Sequence, residues 1–208
     1  MIAIVDYGVG NLYSLACSLD YVGVEAIVTR DKAILSTADK IILPGVGAFG
    51  DAMEKLRNHH LDTYLCDLTK KGKPLLGICL GMQLLFEKSY EYGQHVGLGL
   101  LKGTIVPLST VLPATVKVPH MGWNELDFTC TPSILSSIRP KDAVYYVHSY
   151  YATGCEDTLI ASSNYEGLAI PGIVKNKNVI GMQFHPEKSG KVGLQLLSNF
   201  AVGEEKYS

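Results

Sequence analysis

The sequence predicts an α/β fold: a single domain with a mostly parallel central sheet flanked by helices, plus antiparallel strands in the second half. Three observations carry this prediction. In the first half, short and almost wholly apolar runs alternate with stretches of helical periodicity. That is the pattern of βαβ units, whose parallel strands are covered on both faces. In the second half the helical stretches give way to a series of short β-branched and aromatic runs bounded by turn residues. Finally, 208 residues with 47% hydrophobic and 18% charged side chains suffice for one sizeable core, and no linker, repeat or low-complexity tract divides them.

The elements follow in order. "IAIVDYG" reads as a buried strand, "GVGN" as a Gly-rich turn, and "LYSLACSLDYVG" as a helix. "EAIVTR" and "KIILPG" are two further strands closed by turn residues. From Asp51 to Leu68 apolar residues fall at 52, 53, 56, 61, 64, 65 and 68, which predicts helix with one buried face. "GKPLLGIC" is a strand entered by a Gly-Lys-Pro turn, and "LGMQLLFEKS" the helix after it. Short strands then follow in "GLGLLKGTIVPL", "TVKVPHMGW", "AVYYVHSYYA", "TLIASSNYEG", "LAIPGIVKN" and "NVIGMQFH", with "KNKN" as a hairpin turn between the last two. Alternation along the aromatic strand sets Tyr146, His148 and Tyr150 on one face and Tyr145, Val147, Ser149 and Tyr151 on the other. "VGLQLLSNF" closes the chain as an amphipathic helix.

Bulk properties exclude several functions. The formal net charge is −2, with Lys and Arg scattered, which speaks against nucleic-acid or membrane-surface binding. Apolar runs break well short of the roughly 20 residues of a membrane helix, and the N-terminus has no leader pattern. Five cysteines (Cys17, Cys66, Cys79, Cys130 and Cys155) form no C-x-x-C pair, so neither zinc nor a redox dithiol is indicated. Reduced thiols fit a cytoplasmic protein.

One cysteine stands apart. Gly77-Ile78-Cys79-Leu80-Gly81 is G-x-C-x-G between strand and helix, the spacing of a nucleophile elbow with Cys in place of Ser. Such a turn strains its central residue, and small neighbours let strand and helix approach. A helix N-terminus there favours thiolate, and the Leu80 N–H points at a developing oxyanion. A thiolate needs a base, and the base an orienting group. Of six histidines, His59, His60 and His95 occupy polar or Gly-rich stretches and read as solvated. His185 ends a strand as His185-Pro186-Glu187, so imidazole and carboxylate leave the strand together and the carboxylate selects one ring tautomer. "LPGVGAFGDAM" supplies a Gly-rich loop able to turn N–H groups toward an anion. "GVGN" lacks the spacing and lysine of a phosphate loop. Trp123, the only tryptophan, has a competing reading as a core residue.

P-G-V-G, G-I-C-L-G-M-Q and F-H-P-E, in this order, resemble the class I, triad-type glutamine amidotransferases. "GVGNLYS" (8–14), "VPHMGWNEL" (118–126), "YYVHSYY" (145–151) and "HPEKSG" (185–190) narrow the resemblance to the glutaminase subunit family of imidazole glycerol phosphate synthases. The resemblance implies one amidotransferase domain over residues 1–208 and a Cys79–His185–Glu187 triad that hydrolyses the side-chain amide of glutamine. It implies an oxyanion hole from Val46 and Leu80, and substrate contacts from Gly47, Gln83, Ser149 and Tyr150. It implies a heterodimer with a (β/α)8-barrel cyclase subunit that receives the ammonia for histidine biosynthesis, met by Asn11, Trp123, Tyr145 and Lys188. No cofactor or metal is implied. Ser109–Lys117 and the C-terminal tail match nothing and receive no role. Readings left open are a glutaminase for another synthase, a stand-alone cysteine hydrolase, and a non-catalytic binding module on the same scaffold.

Overall fold

The computed structural model describes residues 1–203; the rest of the tail, to which the sequence assigns no role, lies outside the described residues. The first half alternates as expected: β1 (Ile2–Val5), α1 (Leu12–Tyr21), β2 (Ala26–Thr29), α2 (Lys32–Thr37), β3 (Lys40–Gly45), α3 (Phe49–Asn58), α4 (Leu61–Lys70), β4 (Leu75–Cys79) and α5 (Leu80–Leu84). Asn11 caps α1, its Oδ1 accepting from the Ser14 N–H, and Asp31 caps α2 by accepting from the Ala33 N–H. The second half holds β5 (Phe86–Ser89), β6 (His95–Val96), β7 (Leu101–Pro107), β8 (His120–Glu125), β9 (Asp127–Phe128), β10 (Ala143–His148), β11 (Tyr150–Thr153), β12 (Leu159–Tyr165), β13 (Leu168–Asn176), β14 (Val179–Met182) and the closing α6 (Gly190–Val202).

The main sheet has the order β2-β1-β3-β4-β14-β13-β12-β9. It is parallel from β2 through β14 and antiparallel beyond. β13 and β14 pair through Asn176↔Val179, so the turn expected from "KNKN" is Lys177-Asn178, with Lys177 at φ 52°. β1, β4 and β14 are buried along their whole length. Alternate side chains feed two cores: Ile4, Ile42, Leu76 and Ile78 join Leu19 and Leu197, while Val5, Ile41, Leu43 and Leu75 join Met53, Leu56 and Leu65 on the other face. Burial on both faces is what makes these strands read as continuous apolar runs.

Four expectations need correction. The helix predicted over 51–68 is two helices, broken at His59-His60, where His60 takes a left-handed φ of 51°. The five-residue step from Leu56 to Leu61 marks the break, because one helical face recurs every three or four residues. The short α2 falls in "DKAILSTA", too brief to show a period. "LGMQLLFEKS" is helical only to Leu84; Phe86–Ser89 then joins β7 in parallel, in a separate sheet of order β11-β7-β5-β6. All five residues of α5 are buried, so no polar face marked its end. The aromatic strand divides at Ser149: β10 pairs with β8 and β11 with β7. Tyr146 and His148 share a buried face, but Tyr150 is half-buried and Tyr151 is buried instead.

Register then determines the neighbourhood of Cys79. β3 and β14 flank β4, with Gly45 opposite Cys79 and Met182 opposite Ile78. Residues after β3 and after β14 therefore leave the sheet on either side of Cys79, at the carboxyl edge where open α/β sheets build their sites. α5 must press onto this edge. A Cβ on Gly81 would lie 1.8 Å from the Leu43 carbonyl oxygen, and one on Gly77 2.6 Å from that of Gly81. Gly81→Ala should therefore destabilise the protein by about 3 kcal/mol or more, since the obstacle is backbone, measured as a lower urea midpoint; an unchanged midpoint would contradict the packing.

Candidate active site

Cys79 has φ 54° and ψ −112°, a conformation costly for any residue with a Cβ. It is 7% exposed and ends the central strand, as the G-x-C-x-G spacing predicts. Gly45 completes the close packing: a Cβ there would meet the Gly81 nitrogen and the Tyr7 hydroxyl, each at 2.8 Å. The helix expected to support a thiolate has only five residues, so its dipole is small.

His185 is 2% exposed, and its Nδ1 lies 2.8 Å from Glu187 Oε1. Pro186–Lys188 form a 3-10 turn, so carboxylate and ring meet across a turn rather than along an extended strand. The backbone holds the ring in place: the His185 N–H donates to the Tyr145 carbonyl, and Ser189 Oγ donates to the His185 carbonyl. Burial works against charge on this imidazole, but hydrogen bonds to Cys79 and Glu187 outweigh it and raise its pKa to about 10. Glu187 Oε2 has no hydrogen-bond partner among the described residues and borders a small gap shared with Asn11, Gly45 and Val46.

Cys79 and His185 open into a cavity of about 480 Å³ whose wall includes Val46, Gly47, Leu80, Gln83, Ser149 and Tyr150. All the positions expected for oxyanion and substrate contact thus meet at one cavity. Gly47 has φ +98°, a reason for glycine in that loop, and the Tyr7 hydroxyl donates to the Pro44 carbonyl at its base at 2.8 Å. Gln83 Nε2 donates both to the Tyr150 carbonyl and to Gln183 Oε1, each at 3.0 Å. With both amide hydrogens committed, Gln83 offers a ligand its Oε1.

Sequence reasoning missed three participants. Gln183 is fully buried and places Nε2 4.0 Å from Cys79 Sγ. Tyr7 holds the Gly-rich loop. Glu91 lines the cavity at 7% exposure, with Oε2 accepting from the Phe49 N–H at 2.6 Å, and burial raises its pKa. Glu91 lies in "YEYGQ", which reads as a polar surface turn; no spacing relates it to Cys79. Gln183 was two residues from His185, on the same strand-end, and alternation could have found it.

Of the residues assigned to a partner face, Trp123 is 59% exposed, not core, and lies edge-on to Tyr145, its cross-strand neighbour, with ring centroids 6.1 Å apart. Lys188 is exposed and lines the cavity mouth. Asn11 caps α1 beside the Glu187 gap. His59 and His60 are exposed as expected, His59 lying 3.4 Å from Arg30 Nη1; His95 is half-buried in β6 against Phe49. Among the described residues no group of three or more His, Cys, Asp or Glu could hold a metal ion, and no helix is long and apolar enough to cross a membrane.

Residues 3–203 match the glutamine amidotransferase class-I family. The chain belongs to that family. Similar proteins include the imidazole glycerol phosphate synthase subunit HisH of Oceanobacillus iheyensis, 52% identical over 201 residues, covering 96% of this chain and 98% of that one. The subunit of the same name from Aquifex aeolicus is 47% identical over 204 residues, covering 98% and 97%. Among solved structures, PurLQS from Thermotoga maritima superposes with a TM-score of 0.75 at 20% identity over 96% of each chain, and a crystal structure of glutamine amidotransferase with 0.74 at 18% over 97% and 100%. At such identities these two establish the shared fold. As a class-I glutamine amidotransferase, the protein is an enzyme.

The buried imidazole gives this amidotransferase a pH signature. His185 rises from 6.5 to about 10 on folding, so its proton stabilises the folded state. That contribution is complete below about pH 6.5 and is lost as pH rises through about 10. The melting temperature of Glu187→Gln should therefore fall below wild type near pH 6, and the gap should narrow toward pH 10. A gap independent of pH would contradict a charged His185 paired with Glu187.

Proposed function

We propose that this chain is the glutaminase subunit of an imidazole glycerol phosphate synthase, one amidotransferase domain that hydrolyses glutamine and passes ammonia to a separate cyclase in the cytoplasm. The observation that carries the chemistry is Cys79, on a strained turn, sharing one cavity with the buried His185–Glu187 pair. Identity near 50% over almost the full length of the HisH subunits supports the choice of acceptor.

Cys79 Sγ attacks the side-chain amide carbon of glutamine, and the carbonyl oxygen becomes an oxyanion. The N–H groups of Val46 and Leu80 stabilise it. His185, held by Glu187, gives its proton to the departing nitrogen; the C–N bond breaks, leaving ammonia and a γ-glutamyl thioester. His185 then takes a proton from water as it attacks the thioester; the C–S bond breaks, releasing glutamate and returning Cys79 and protonated His185 to their starting state. Gly47, Gln83, Ser149 and Tyr150 line the substrate. Glu91 accepts from the α-ammonium of glutamine through Oε1, since Oε2 is occupied by the Phe49 N–H.

The exposed Trp123, with Tyr145, Lys188 and Asn11, meets a (β/α)8-barrel cyclase. A stand-alone hydrolase has no need of an exposed tryptophan on its surface. Cys79→Ala should lower glutamine hydrolysis by at least about a thousandfold while the complex still makes product from added ammonia. Glutamate release at the wild-type rate would remove Cys79 from the mechanism. Glu91→Gln keeps an acceptor for Phe49 but loses the charge, and should raise the KM for glutamine about tenfold or more in steady-state assays of the complex; an unchanged KM would exclude the ammonium contact.

A further inference from the structure

The mechanism above leaves two buried histidines unused, and their hydrogen bonds form a chain whose direction can be worked out. His148 Nδ1 is 2.9 Å from the Tyr150 carbonyl oxygen, His148 Nε2 is 2.9 Å from His120 Nδ1, and His120 Nε2 is 3.2 Å from Asn124 Nδ2. The Tyr150 carbonyl can only accept, so His148 carries its proton on Nδ1. In a neutral ring Nε2 is then an acceptor, and His120 Nδ1 must donate. His120 Nε2 is in turn an acceptor, matched by the Asn124 amide.

The far end is determined independently. Asn124 Oδ1 accepts from the Glu125 N–H at 2.9 Å, and Asn124 Nδ2 also donates to the Asn164 carbonyl at 2.9 Å. Flipping the amide would break both. Backbone groups at each end therefore impose one polarity, and a second proton on either imidazole would set N–H against N–H. Burial agrees: it pushes the pKa of His120 down to about 4 and, with the nearby His120 and His185, that of His148 to about 3. His120 is clamped between the rings of Tyr146 and Tyr165, centroids 4.5 and 4.1 Å away.

The chain ends on the cavity wall. The Tyr150 carbonyl accepts from both His148 Nδ1 and Gln83 Nε2, and the Ser149 carbonyl accepts from the Leu108 N–H. This is the corner where β10 leaves one sheet and β11 enters another, so no continuous ladder holds it. We propose that His120 is a positioning residue for glutamine, acting through neutral His148 to hold the Ser149–Tyr150 corner and Gln83. The proposal rests on the reading that this cavity takes glutamine. It also explains why His148 can line a cavity shared with cationic His185 without repelling it.

Two measurements test it. Nitrogen-15 NMR of the wild-type chain should show both imidazoles neutral and protonated on Nδ1 across about pH 6 to 8, against the Nε2–H form usual for free neutral histidine. An Nε2–H tautomer on either ring, or titration in that range, overturns the proposal, and this arm needs no variant. In the complex with the cyclase, His120→Phe keeps the ring stack but leaves His148 Nε2 without a donor. It should raise the KM for glutamine about tenfold with kcat little changed. His120→Asn, which restores an N–H at the Nδ1 position, should return KM most of the way. An unchanged KM in folded His120→Phe, or no rescue by asparagine, overturns the proposal. A wild-type complex that does not hydrolyse glutamine would overturn the reading of the cavity itself, and the positioning role with it.

Discussion

A left-handed backbone at Cys79 is the constraint on which the remaining geometry depends. A residue with a Cβ holds φ 54° only when its surroundings leave no better option. Here the surroundings are mostly backbone: Gly81 packs on the Leu43 carbonyl, Gly77 on Gly81, and Gly45 on the Gly81 nitrogen, with the Tyr7 hydroxyl beside it. β3, β4 and α5 approach one another so closely that a Cβ at Gly45, Gly77 or Gly81 would overlap its neighbours. That closeness lifts the sulfur out of the sheet and brings the Gly45–Gly47 loop beside it.

Electrostatics in the site follows from what each imidazole touches. His185 has an acceptor carboxylate on one side and Cys79 on the other, and carries charge despite burial. His120 and His148 have only dipoles for partners, and burial keeps both neutral. A buried cation is tolerable when its counter-charges are adjacent and costly otherwise. Three histidines within one small region therefore differ in state because one of them has Cys79 and Glu187 beside it.

Local patterns made much of this legible. The G-x-C-x-G spacing marks a turn that few other sequences need, and His-Pro-Glu places imidazole and carboxylate within three residues. Apolar strands announced the parallel sheet because burial on both faces removes every polar position. Less was legible where neighbours distant in sequence decide the outcome. Glu91 looks like a surface residue until α3 supplies the N–H it accepts. Tyr150 looks like the third member of a buried stripe until the strand changes sheets at Ser149.

By itself the sequence determined the α/β class, the Gly-flanked cysteine at the strand-to-helix turn and the adjacent His–Glu pair, since each is a matter of local spacing and of backbone conformations that only certain residues adopt. Only the tertiary structure decided that β14 lies against β4, that the helix after Cys79 stops after five residues, and that two neutral histidines brace the cavity wall. Those outcomes depend on strand order and on hydrogen bonds between residues more than a hundred positions apart, such as the Leu75 N–H and the Asn178 carbonyl. A linear pattern carries no trace of such pairings, because either partner would satisfy its own local rules equally well elsewhere.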